Sequence, residues 1–123
     1  MRSTLILLVF LSGSVMGHQF TPTYPKLKPS YVQGVLTTKM ELFNTRKDIS
    51  YYSIGVFDKD WNKVAFATDS RIVQIGYLNR KSIDVYIRSL DKTRAVYICS
   101  QSKMLEGHKQ STIVSSKICS KIK

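Results

Sequence analysis

The sequence predicts an all-β domain built as a two-sheet sandwich of about seven strands. Three observations predict it. Short segments of alternating apolar character recur at spacings near ten residues from residue 32 onward, the three prolines fall in one stretch ahead of them, and no segment carries a convincing amphipathic helical period. A sheet that is apolar on one face must bury that face, and a second sheet supplies the cover. Strand count and length fit the immunoglobulin-like class, with an open barrel as the competing arrangement.

Residues 1–17 read as a secretory signal peptide, with Arg2 beside the start amine, an apolar run from Leu5 to Leu11, and the small residues Val15 and Gly17 ahead of a cleavage point. The run is too short for a permanent span, so no integral membrane segment is expected after processing. A periplasmic or secreted location follows. Residues 18–31 hold Pro22, Pro25 and Pro29 and are expected to form an extended arm rather than a packed element. The sandwich is expected to occupy residues 32–123.

Within it, residues 32–43 form the first expected strand, with Leu36, Thr38, Met40 and Leu42 on one face. A polar turn at 44–48 leads to a second strand at 50–57, where Tyr52, Ile54 and Val56 share a face. After a turn at 58–63, short strands are expected at 64–67 and 71–75, and residues 76–81 read as a connection. The clearest alternation follows, with Ile83, Val85 and Ile87 opposite Asp84, Tyr86 and Arg88. Asp91 and Lys92 break the pattern. A strand at 93–100 directs Val96 and Ile98 inward, residues 101–110 read as a loop, and a last strand runs from about residue 111 to 118.

The formal net charge is +11, from 19 Lys and Arg against 8 Asp and Glu. That balance favours acidic protein surfaces, polyanions or an anionic envelope surface as partners. Nucleic acid is not an expected partner, because no recognition fingerprint accompanies the charge and the chain carries an export signal. Cys99 and Cys119 are the only cysteines, and an oxidising compartment predicts a disulfide between them. The loop they enclose is too short for the inter-sheet bridge of antibody domains. They are expected to fasten the final strand to the strand that contains Cys99.

No enzyme, cofactor or metal site is expected. His18 sits at the new terminus and His108 in a basic loop, and the two glutamates, Glu41 and Glu106, show no spacing that pairs them. Asp58, Asp60 and Asn62 match the first alternating positions of a calcium loop, but Lys63 replaces the required glycine and Asp69 the closing glutamate. A tight turn explains them better. Candidate partner-binding residues are Leu36, Met40 and Leu42 for strand addition at an exposed edge, Trp61 as an anchor in its turn, and Tyr86 with Arg88 and Tyr97 as a basic-aromatic outer surface.

The segments Glu41-Leu-Phe-Asn44, Tyr52-Ser-Ile-Gly-Val56 and Ser82-Ile-Asp-Val-Tyr-Ile-Arg88, the last following the Gly76 turn, resemble the N-terminal immunoglobulin-like domain of the PapD-like periplasmic chaperones that assemble pili. The resemblance covers about residues 32–100. It implies a chaperone-like architecture; family members hold a pilus subunit's terminal carboxylate with basic residues between two domains, and Arg46 and Arg88 lie in the corresponding regions by position alone. A cleft of that kind is not expected within this chain. The expected function is an exported protein-protein interaction module, adaptor or chaperone-like; the alternatives are a structural subunit of an envelope-spanning machine or surface filament, and a cationic secreted effector.

Overall fold

The computed structural model describes residues 17–103 and 115–123. The leader (but for Gly17), the start of the expected last strand, His108 and Glu106 lie outside those residues. Among the described residues eight strands form an antiparallel sandwich of two sheets, β1(His18–Thr21), β2(Lys28–Pro29), β3(Val35–Asn44), β4(Tyr51–Phe57), β5(Ile72–Gln74), β6(Arg80–Arg88), β7(Tyr97–Lys103) and β8(Lys117–Lys121). In the first sheet β3 pairs with β1 and β2 along one side and with β6 along the other. The second has the order β5-β4-β7-β8. Among the described residues no helix is long and apolar enough to cross a membrane.

The alternations read from the sequence set the core. Met40 and Leu42 of β3 and Ile83, Val85 and Ile87 of β6 face Tyr52, Ile54 and Val56 of β4 and Ile98 of β7, all buried. Fully burying such side chains is worth about 1.5–3 kcal/mol each before ordering entropy is set against it. The partners come from strands distant in sequence, as in a sandwich.

Several expectations are corrected. The stretch 18–31 is extended but packed: β1 pairs with the far end of β3, with His18 opposite Asn44 and Phe20 opposite Leu42, and Phe20 and Leu27 are buried. Two apolar side chains and an open flank of β3 outweigh the proline signal. Residues 64–67 form no strand, because they pass from one sheet to the other. Val64 N–H donates to Val56 O in the second sheet (2.9 Å), and Ala67 exchanges two bonds with Tyr86 of the first (2.9 and 2.8 Å). One contact per sheet cannot make a ladder. β6 begins at Arg80, inside the expected connection, and β7 runs on to Lys103 because β4 pairs with it to that point. The final strand runs from Lys117 to Lys121, later than expected.

Asn44, expected in a turn, closes β3 and is fully buried. Its Nδ2 donates to Ile49 O (2.7 Å) and Ile75 O (2.8 Å), and its Oδ1 accepts from Arg46 N–H (2.9 Å) and Tyr52 Oη (2.5 Å). All the side chain's bonding positions are used, which is the condition for burying an amide without penalty. Burial pushes the Tyr52 phenol up to about 12, so it stays a donor. Asn44→Ala leaves two carbonyls and the Tyr52 hydroxyl without their partner, and is expected to destabilise the domain by about 3 kcal/mol in urea unfolding. A loss below about 0.5 kcal/mol would show that the network is not structural.

Candidate functional site

β8 is an edge strand whose residues alternate: Ser120 is buried, Ile118 packs against the core, and Lys117, Cys119 and Lys121 face the other way. Cys99 and Cys119 are register partners with Cα atoms 4.0 Å apart and form the disulfide. Ser102 N–H donates to Ser116 O and Ile122 N–H to Val96 O, so the alternation of the ladder puts the cysteines at a non-hydrogen-bonded pair, where side chains approach most closely. The expected link between the final strand and the strand of Cys99 is therefore present.

The outer flank of β8 is covered over part of its length. Lys121 N–H donates to Thr23 O (3.0 Å) and Lys123 N–H to Pro25 O (2.9 Å), so the proline-containing segment lies along the downstream part. Lys117 and Cys119 turn their peptide groups to the same flank, upstream of that cover. Among the described residues no strand pairs with β8 there. From the inner side His18 braces the region: Nδ1 is 2.9 Å from Ser116 Oγ, Nε2 is 2.7 Å from Ser100 Oγ, and its ring lies 4.6 Å from that of Tyr52.

The outer face of the second sheet is aromatic and basic. Asp58 Oδ1 accepts from the N–H groups of Asp60 and Asn62, both at 2.9 Å, which confirms the turn reading of this segment. The bond from Asn62 is the main reason that the Asp58 carboxyl sits below the usual carboxylate range. The turn places Trp61 at φ 66° and folds its ring back, stacked on Tyr97 at 4.4 Å. Lys117 Nζ lies 4.8 Å from the Phe57 ring centre and 5.1 Å from that of Trp61. Gly55 stands opposite Cys99, and a Cβ there would meet the Phe57 ring at 2.9 Å. The glycine leaves a groove of about 540 Å³ over the sheet, walled by residues 63–66 and Arg71.

The sequence-predicted site residues divide sharply. Met40 and Leu42 are core and Leu36 packs against it, so none presents an edge; β3 is an interior strand paired on both sides. Tyr86 and Tyr97 lie in different sheets and make no common surface. Arg88 is exposed and pairs with the buried Asp91 at 2.9 Å, while Arg46 is buried and bonded to Asp48. Trp61 does sit on an accessible surface, half exposed. Phe57, Phe66, Lys63, Arg71 and Lys117 were not among the candidate partner-binding residues; a local signal of the groove is Gly55, a glycine inside a strand. No group of three or more His, Cys, Asp or Glu able to hold a metal occurs among the described residues.

No family model matches the chain, and no curated protein matches it in sequence. Among solved structures, the E. coli chaperone DraB superimposes with a TM-score of 0.65 at 10% identity, over 87% of this chain and 53% of that one. The chain thus spans about half the length of that chaperone. The resemblance to a PapD-like periplasmic chaperone fold, drawn first from patterned residues, holds at the level of fold.

Burial holds the His18 imidazole below its ordinary value, with the charge of Arg46 a lesser cause in the same direction. The folded state therefore binds a proton less readily than the unfolded chain, whose histidine titrates near 6.5. The resulting stability is complete above about pH 6.5 and is lost as the pH falls below that value and through the folded-state pKa. Urea unfolding at about pH 7.5 and 5.5 is expected to show a smaller acid loss in His18→Gln than in the parent. Equal losses in the two would remove His18 as the titrating group.

Proposed function

We propose that the chain is an exported protein-protein interaction module, adaptor or chaperone-like in kind, that receives an extended segment of a protein partner along the upstream part of β8. The observation that carries this reading is the half-covered edge: residues 23–25 close the flank from Lys121 onward, while the peptide groups of Lys117 and Cys119 face outward ahead of that cover. An added strand gains backbone bonds at such an edge, and its alternate side chains meet the flanking surface. The disulfide and the His18 contacts hold the strand in register before a partner arrives, which lowers the ordering cost of binding.

The likeness to a chaperone supports an assembly or adaptor role rather than catalysis. Export to the periplasm or beyond, after removal of residues 1–17, is supported by the leader pattern and by a disulfide that an oxidising compartment preserves. We take residues 18–123 as the working domain, since the former arm supplies β1 and β2.

Proline at position 117 removes one outward donor and leaves the ladder to β7 intact, whereas alanine keeps that donor. Partners captured by crosslinking in the native envelope are expected to be lost with Lys117→Pro and retained with Lys117→Ala, both variants keeping their disulfide and fold. Unchanged capture by Lys117→Pro would reject strand addition at β8.

The disulfide closes a sequence separation of 20 residues, for which the chain-entropy estimate is about 3 kcal/mol. The double variant Cys99→Ala, Cys119→Ala is expected to lose stability on that scale and to weaken partner capture. Full stability in the double variant would show that β8 does not need the link.

A further inference from the structure

The groove on the outer face of the second sheet carries a chemistry that strand addition does not use. Lys63, Arg71, Lys103 and Lys117 line it, drawn from the segment between β4 and β5, from β7 and from β8, and no carboxylate lines it among the described residues. The ion pairs found among those residues join Arg46 to Asp48, Arg80 to Glu41, and Arg88 and Arg94 to Asp91, none of them at the groove. Among the described residues, four cations therefore converge on one recess without an opposing charge. Their mutual repulsion is relieved by an anion, and a concave, partly apolar wall concentrates the field.

Two of the four are held in place by aromatic rings. Lys117 lies over Phe57 and Trp61, and the Arg71 guanidinium is 4.9 Å from the Phe66 ring centre. Contacts of this kind orient a long basic side chain while leaving N–H groups for a ligand. The floor is neutral, formed where Gly55 faces Cys99, and Ser53 and Gln101 add a hydroxyl and an amide. A volume of about 540 Å³ lies within the range of small-molecule sites.

We propose that this groove binds a small polyanion that carries phosphate or sulfate groups on a sugar-sized frame. Several negative groups match several convergent cations, and the polar floor suits the hydroxyls of such a frame. A recess walled by residues 63–66 fits a discrete ligand better than a flat anionic bilayer. The proposal does not require strand addition at β8, although Lys117 of that strand lines the groove.

Trp61 is the only tryptophan and lies beside Lys117, so its fluorescence reports on the groove. The disulfide-bonded protein is titrated with inositol hexakisphosphate and with sucrose octasulfate at about 0.15 M salt, where long-range charge effects are screened. Saturable one-to-one binding of either probe, with a fluorescence change, is expected, and the stronger probe identifies the kind of ester preferred. The double variant Lys63→Gln, Arg71→Gln leaves β8 untouched and is expected to bind at least about tenfold more weakly. Lys26→Gln, Lys28→Gln, which removes the same charge near β2, is expected to bind as the parent does. The proposal is overturned if neither probe saturates, if the groove variant binds normally, if both variants lose affinity equally, or if only phosphatidylglycerol vesicles bind.

Discussion

The architecture depends on one buried amide. Asn44 ends β3 in the first sheet, and its side chain takes a hydroxyl from β4 and gives its two hydrogens to the carbonyls of Ile49 and Ile75, which flank β4 and β5 in the second. Its backbone is tied as well: Leu78 N–H donates to Asn44 O at 2.7 Å, and Asn44 N–H donates to Asn79 O at 3.0 Å. A hydrophobic interface alone tolerates sliding of one sheet over the other. A fully satisfied polar centre does not, because displacement strands several groups away from water at once.

From that centre a chain of contacts reaches the edge proposed for binding. Tyr52 bonds to Asn44 through its hydroxyl and lies against the His18 ring, and His18 in turn holds Ser100 of β7 and Ser116 just ahead of β8. The disulfide fixes the same pair of strands from the outer face. The last strand is thus restrained from both faces, while among the described residues no strand lies beside its flank toward Lys117. Rigidity of the side chains and openness of the backbone are compatible here because they concern perpendicular directions in a sheet.

What the sequence revealed follows from range. The faces of β3, β4 and β6 were legible, since alternation along one strand records which residues face the core, and the cysteine pair was legible from compartment and spacing. Asn44 was misread as a turn residue because its burial depends on Tyr52 and Ile75, which no local pattern connects to it. The alternation of His18 and Phe20 was masked by the prolines that follow, and Met40 and Leu42 looked available only while β3 was taken for an edge. The groove was hidden for the same reason: its cations lie on segments that meet only after both sheets close.

The functional account rests on an edge that is closed downstream and open upstream in the free protein. Residue-resolved amide exchange measures this directly. The account predicts protection at Ile118, Ser120 and Lys121, whose N–H groups face β7 or the Thr23 carbonyl, and exchange at least about a hundredfold faster at Lys117 and Cys119. Protection of Lys117 and Cys119 equal to that of their neighbours, in the absence of any partner, would mean that the edge is already occupied and would contradict the account.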